Sequence, residues 1–196
     1  VGTVHSGVQM GIIQVVRQEG TMTIIPNAGV HDATGQFCAP HIFRTSFSNA
    51  QPAIACGEPA YSDGHRTAVV MSWDYTAGRD ATGGFAQRFT ELGGRIVREI
   101  FVPFPDVEFQ AALTEIAGID PDCVFVFFAG GGAVRFVQDY AAAGLKDSIP
   151  LYGSGFLTDG TLQAQGEAAT GIQTGLHYAD DLPFEKSVWF RQAFRE

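Results

Sequence analysis

Two loops in this chain combine small or polar residues with the start or end of an apolar run, and both could contact a ligand. His5, Ser6 and Gly7 stand directly before a segment of helical period. A serine hydroxyl and backbone N–H groups there would meet the positive end of the helix dipole. Asn27, Ala28 and Gly29 follow the apolar run 22–25, where small residues let the backbone approach a ligand closely. A carboxylate fits the first loop, although Ser6 is equally suited to serve only as the helix N-cap. The second loop could bring its backbone close to the same ligand, and we call the two together the anion-binding loops.

Aromatic residues follow two further apolar runs. Trp73, Asp74 and Tyr75 come after the run 67–71, and Phe156 closes the loop 153–156, which also contains Ser154. Two rings beside a carboxylate could stack on a planar solute and orient it. The alternative for either ring of the first loop is that it only covers the sheet edge. The pattern therefore predicts an aromatic wall opposite the anion-binding loops.

A run of glycines at 130–132, including Gly131, opens another segment of helical period. It lacks the Lys and Ser/Thr of a phosphate loop and the full GxGxxG pattern, so it makes a poor nucleotide site. Gly131 could let a ligand approach, or the glycines could serve close strand-to-helix packing. Around Ser154 the sequence GSG lacks the glycines that a hydrolase nucleophile elbow has two positions either side of its serine.

Residues for catalysis or metal binding are scattered. The five histidines show no HExxH spacing, and the three cysteines lie far apart without a CxxC pair. We therefore predict no catalytic residue, no metal and no cofactor, and a chain that binds a ligand without transforming it. A hydrolase or reductase on the same type of sheet is the disfavoured alternative.

The elements that must position these loops alternate between β-rich runs and segments of helical period. This alternation predicts an α/β fold with a largely parallel sheet covered on both faces. In such sheets, ligands bind beyond the carboxyl ends of the strands. The predicted strands are 1–4, 22–25, 67–71, 96–102, 124–128, 149–152 and 171–178, and the extended stretch 41–49 is predicted to be a hinge.

Composition narrows the possible partners. The net charge is −9 and there is no run of Lys or Arg, so nucleic acid is not an expected partner. The longest apolar stretches, such as 124–129, are far too short to cross a bilayer. The chain begins with Val and has no charged-then-apolar leader, so we expect any signal peptide to be absent from this sequence.

Several motifs together resemble one known family, the type I periplasmic binding proteins of branched-chain amino acid (Leu/Ile/Val) transport. The resemblance implies a Venus-flytrap fold of two doubly wound lobes that close on a ligand. The motifs are VGTVHSG, TIIPNAG, IFRTSFSN, VVMSWDYTAGRD, VFVFFAGGGAVRFVQDYAAAGL and IPLYGSGFLTDGTLQAQGEAATGIQTGLHYADDL.

The same resemblance implies domain boundaries and partners. Residues 1–47 would form part of lobe one, residues 48–178 lobe two, and residues 179–196 a return into lobe one, with the family pattern truncated at both ends. The expected partners are a small carboxylate ligand and an ABC permease in the inner membrane. The expected location is the periplasm and the expected state a monomer. A ligand-sensing domain of a receptor or regulator is the rival of a different class.

The resemblance also implies roles for individual residues. In relatives that bind amino acids, a serine in the position of Ser6 and a Ser/Thr in the loop of Gly29 hold the carboxylate, and an acid in the loop of Ser154 holds the ammonium. Here Gly29 and Ser154 depart from that pattern. A buried ammonium without a counter-charge is costly. We therefore expect an aromatic or hydrophobic acid, with Phe47 adding to the wall; a branched-chain amino acid, with Asp74 as its counter-charge, is the alternative.

Overall fold

The computed structural model describes residues 1–179 and 181–195, which form seven helices and seven strands. The helices are α1 (Ser6–Glu19), α2 (Ala50–Ser62), α3 (Thr76–Glu91), α4 (Gln110–Ile119), α5 (Gly130–Ala142), α6 (Leu162–Gln165) and α7 (Glu185–Arg195). The strands are β1 (Thr23–Ile25), β2 (Ile42–Arg44), β3 (Thr67–Trp73), β4 (Arg95–Val102), β5 (Cys123–Phe127), β6 (Leu151–Ser154) and β7 (Gln173–Gly175).

The larger sheet has five strands in the order β4-β3-β5-β6-β7, and every neighbouring pair is parallel. Alternate residues of each central strand point to opposite faces. From β3, Val69 packs on the side of α4 and α5, whereas Val70 packs on the side of α2 and α3. Both faces are buried, which is why β3 and β5 are almost continuously apolar. The predicted α/β fold with a covered parallel sheet is confirmed.

A smaller unit contains the parallel pair β1-β2 and helix α1. Its core includes Ile13 from α1, Ile25 from β1 and Ile42 from β2. The predicted strand at residues 1–4 is wrong. This segment lies beside β1 with backbone bonds from Gly2 N to Ile24 O (3.1 Å) and from Ala28 N to Thr3 O (3.0 Å), but it does not continue into a strand ladder.

Helix α2 was not predicted, because its sequence contains residues that usually interrupt helices. Pro52 is acceptable in the first turn, whereas Pro59 lies inside the helix and removes one hydrogen bond. Gly57 is required by packing, since a β-carbon there would stand 2.8 Å from Arg88 Cβ on α3. Tertiary contact between α2 and α3 therefore decides this element. It also places Asn49, the residue before the helix, in the interior.

The last segment contains α7, as the helical spacing of its apolar residues predicts. Trp189 and Phe194 on α7 are exposed. The predicted return of 179–196 into lobe one includes Asp180 and Glu196, which lie outside the described residues. Within the described part of the chain, no helix is long and apolar enough to cross a membrane, and no three His, Cys, Asp or Glu residues form a potential metal site.

Candidate ligand-binding site

A cavity of about 320 Å³ lies between the smaller unit and the carboxyl ends of β3 and β5. Both units contribute to its wall, and so do both anion-binding loops predicted from the sequence. The lining residues are Val4, His5, Ser6, Asn27, Gly29, Phe47, Asn49, Tyr75, Ala77, Phe127, Ala129 and Phe156. Of the predicted site residues, the cavity therefore brings together His5, Ser6, Asn27, Gly29, Phe47, Tyr75 and Phe156.

A second, larger groove of about 880 Å³ lies beside α6 and is lined by residues from 155–163, from 174–179 and by Leu182. None of the residues from the two anion-binding loops lines it. The smaller cavity is therefore the candidate site.

The polar end of the cavity is built at the first turn of α1. His5, not Ser6, is the N-cap: its Nδ1 accepts hydrogen bonds from Gly7 N (3.1 Å) and Val8 N (3.4 Å). The expectation that Ser6 could be the cap is wrong, and the Gly7 N–H is not free for a ligand. Ser6 is 3% exposed, and its Oγ accepts a bond from Asn49 Nδ2 at 3.1 Å. The Ser6 hydroxyl hydrogen is therefore available to donate into the cavity.

The His5 ring offers a second donor. Because Nδ1 accepts two N–H bonds, the proton of the neutral ring belongs on Nε2. Nε2 is buried and has no hydrogen-bond partner among the described residues. The ring stacks on Tyr75, with centroids 4.9 Å apart and planes 24° from parallel. His5 and Tyr75 thus join the two units at the cavity, and burial raises the pKa of Tyr75 to about 12.

Aromatic rings make up another part of the cavity wall. Phe156 lies 5.4 Å from Phe47 and 6.0 Å from Phe127, centroid to centroid. Tyr75 lies 6.2 Å from Phe127, and Phe47 also stacks on His177 at 4.5 Å. The rings that line the cavity come from four different loops or strand ends, and they are those of Phe47, Tyr75, Phe127 and Phe156. Such a wall suits a flat apolar group, which it can contact by face or edge.

Among the residues that the structure describes, no Asp, Glu, Lys or Arg side chain lines this cavity. Asp74, the predicted alternative partner for an ammonium, lies outside it and bonds Arg79 Nε at 2.7 Å on the surface. The nearest carboxylate connected to the site is Asp80, which accepts a bond from Asn49 Nδ2 at 3.1 Å. Burial raises the pKa of Asp80, while bonds from Asn49 and the His31 N–H act in the opposite direction. The cavity therefore offers neutral donors and aromatic surface.

Several predicted site residues lie elsewhere. Trp73 is 5% exposed, donates from Nε1 to Asp106 O at 2.7 Å, and packs against Gly132 in the core. It faces α5 because side chains alternate along β3, which the sequence position alone did not resolve. The other predicted residues that do not line the cavity are Gly7, Ala28, Asp74, Gly131 and Ser154. Ser154 is 1% exposed, and its Oγ has no hydrogen-bond partner among the described residues.

Other lining residues were missed. Phe127 is the last residue of β5, so its place at a strand end was a usable signal. Asn49 precedes the unpredicted helix α2, and no local pattern marks it as a site residue. The remaining missed residues are Val4, Ala77 and Ala129.

Two α/β units with a cavity at their strand ends define a two-lobed α/β fold. The chain belongs to the periplasmic binding protein family, whose model matches residues 1–196. It is 30% identical over 173 residues to the Leu/Ile/Val-binding protein homolog 6 of Brucella melitensis, covering 87% of this chain and 44% of that protein.

Two solved structures are also similar. One is an ABC transporter solute-binding protein from R. palustris in complex with benzoate, 49% identical with a TM-score of 0.89, covering 99% of this chain and 53% of that one. The other is a solute-binding protein of an ABC transporter from Rhodopseudomonas palustris BisB5 in complex with 3,4-dihydroxybenzoic acid, 33% identical with a TM-score of 0.79, covering 95% and 51%. The chain thus spans about half the length of these relatives.

Proposed function

We propose that this chain is part of the extracytoplasmic solute-binding component of an ABC importer and captures benzoate or a closely related aromatic carboxylate. The observation that carries the proposal is the cavity itself, whose lining combines the neutral polar side chains of His5, Ser6 and Asn49 with aromatic rings. The similarity to the benzoate complex, at 49% identity over 99% of this chain, supports the same ligand class.

The carboxylate would bind at the start of α1. Ser6 donates its hydroxyl hydrogen and His5 donates from Nε2, so two neutral groups share the negative charge. Hydrogen bonds to a charged group are stronger than those between neutral groups. The ligand ring lies among Phe47, Phe127 and Phe156, where its apolar surface leaves water. No bond is made or broken, so the protein acts by binding alone.

Ligand binding would stabilise the form in which the two lobes are closed. In this proposal residues 1–47 belong to lobe one and 48–178 to lobe two, with a hinge at 41–49 where the chain first crosses between them. Residues 179–196 return to lobe one. His5 and Tyr75 meet across the lobes, so a ligand beside both favours closure. A permease that binds the closed form better would then receive loaded protein in preference to empty protein. We expect the binding protein to be a monomer.

Branched-chain amino acids are the alternative ligands, because the Brucella relative is named for them. An α-ammonium group would enter a cavity without a carboxylate lining it. Burying that charge without a partner costs several kcal/mol. An amino acid should therefore bind much more weakly than an aromatic acid.

Isothermal titration of the chain with benzoate, 3,4-dihydroxybenzoate and leucine tests the proposal. We expect saturable binding of the aromatic acids and weak or absent binding of leucine. The variant Phe127→Ala should lose benzoate affinity, whereas Phe194→Ala, on the exposed face of α7, should not. Tight leucine binding with no heat from either aromatic acid would overturn the proposal.

A further inference from the structure

Three side chains form a hydrogen-bonded chain that runs from the cavity to helix α3. Asn49 Nδ2 donates to Ser6 Oγ at 3.1 Å and to Asp80 Oδ2, also at 3.1 Å. The same Asp80 oxygen accepts the backbone N–H of His31 at 3.2 Å. Ser6 belongs to the smaller unit and Asp80 to the larger one. Asp80 does not line the cavity, so it can act on a ligand only through neighbouring groups, and of the two donors that bond it in the described part of the chain, Asn49 is the one that also contacts Ser6.

The connection from Asp80 through Asn49 to Ser6 fixes which group donates in each hydrogen bond. An ionised carboxylate can only accept, whereas an amide group presents two hydrogens on nitrogen and only acceptors on oxygen. Asp80 therefore requires Asn49 to point its side-chain nitrogen, and not its oxygen, toward Asp80. The second hydrogen of that nitrogen points at Ser6, so Ser6 Oγ must accept it. The Ser6 hydroxyl then keeps its own hydrogen for another acceptor.

Removing the acceptor at position 80 would remove this constraint. The Asn49 amide could then rotate by half a turn and present Oδ1 to Ser6. The Ser6 hydroxyl would donate to that oxygen and present lone pairs to the cavity. A carboxylate ligand, which only accepts, would lose a donor and meet an acceptor instead.

We propose that Asp80 is a positioning residue that keeps Ser6 a hydrogen-bond donor toward the ligand by orienting the Asn49 amide. The proposal rests on the proposed function, because it assumes a ligand with a carboxylate. It assigns to Asp80 and Asn49 the selectivity of the site for an ionised acid over its neutral amide analogue. The acceptor oxygen of Asp80 carries this role, and the negative charge does not.

Titration of Asp80→Ala and Asp80→Asn with benzoate and with benzamide tests the proposal. Benzamide keeps the ring but offers N–H donors as well as an acceptor. Asp80→Ala should bind benzoate about tenfold more weakly, the effect expected for a lost bond to a charged group. The affinity of Asp80→Ala for benzamide should fall much less, so the ratio of benzoate affinity to benzamide affinity should fall. Asp80→Asn retains an oxygen acceptor and should keep the ratio of the original protein.

A double variant separates the orientation effect from general damage. In the Ser6→Ala background there is no hydroxyl to orient, so adding Asp80→Ala should not lower the benzoate-to-benzamide ratio further. Equal losses for both ligands in Asp80→Ala would show a role in lobe contact or stability only and would overturn the proposal. A ratio lowered as much in Asp80→Asn as in Asp80→Ala would also overturn it. No benzoate binding by the unaltered protein would instead refute the proposed function.

Discussion

Asn49 Oδ1 lies 2.5 Å from the point where a β-carbon on Gly29 would stand. The two residues are also joined by the bond from Asn49 N to Gly29 O at 2.7 Å. Gly29 thus leaves the space that the Asn49 side chain occupies. This is a physical reason for glycine at position 29, where the sequence departs from the Ser/Thr-bearing loop that the resemblance implies for relatives that bind amino acids: any side chain there would displace Asn49.

The variant Gly29→Ala should therefore weaken benzoate binding. The added methyl group must push Asn49 away from Ser6, so we expect an affinity loss of about tenfold. Isothermal titration measures the change. Gly118→Ala is the matched control, because a β-carbon on Gly118 meets nothing within 4 Å. Equal affinities in both variants would contradict the packing of Asn49 described above.

Removing the Ser6 hydroxyl should have a similar effect. Ser6→Ala deletes a donor to the carboxylate and leaves one Asn49 hydrogen without its acceptor. We expect benzoate affinity to fall about tenfold or more. Ser62→Ala, at the exposed end of α2, is the control and should bind normally. Unchanged binding by Ser6→Ala would place the carboxylate elsewhere.

The aromatic wall makes a separate contribution. Phe156→Ala removes a ring that touches both Phe47 and Phe127, and we expect a loss of about tenfold in benzoate affinity. Phe156→Leu keeps apolar volume without the ring faces, so its benzoate affinity should lie between those of Phe156→Ala and the unaltered protein. Competition binding with a labelled aromatic acid measures all three proteins. A fully retained affinity in Phe156→Ala would mean that the ligand ring does not reach this wall.

Stability at high pH should depend on Tyr75. Burial raises its pKa from 10.0 to about 12, so the neutral ring is the form that the folded state favours. This contribution is present below the unfolded pKa and is lost as the pH rises through the folded pKa. The free energy of unfolding should therefore fall less steeply above about pH 10 in Tyr75→Phe than in the unaltered protein. Urea titrations at a series of pH values measure the difference, and identical slopes would count against it.

Gly132 should be required for stability rather than for ligand contact. A β-carbon there would collide with the Trp73 ring, and overpacking of a core typically costs about 1 to 3 kcal/mol. Gly132→Ala should therefore lower the free energy of unfolding by that order, measured in urea. Gly131→Ala adds a methyl group in open space and should unfold like the unaltered protein. Equal stability of the two variants would argue against the Trp73 packing.

Local sequence pattern was sufficient to predict most of the elements. The β-rich runs of β3 and β5 and the helical period of α3 and α5 depend on neighbouring residues alone, and the structure confirms them. The strand-end rule also brought Asn27, Tyr75 and Phe156, which follow β1, β3 and β6, to one cavity. These features are local, or follow from the general geometry of parallel sheets.

The tertiary structure decided which side chains turn toward the ligand. Trp73 and Tyr75 are two positions apart, yet Trp73 packs into the core and Tyr75 lines the cavity. Asn49 acquires its role only because Ser6 and Asp80, distant in sequence, meet around it. Hydrogen-bond direction and close packing depend on contacts between remote parts of the chain, and no short sequence window contains them.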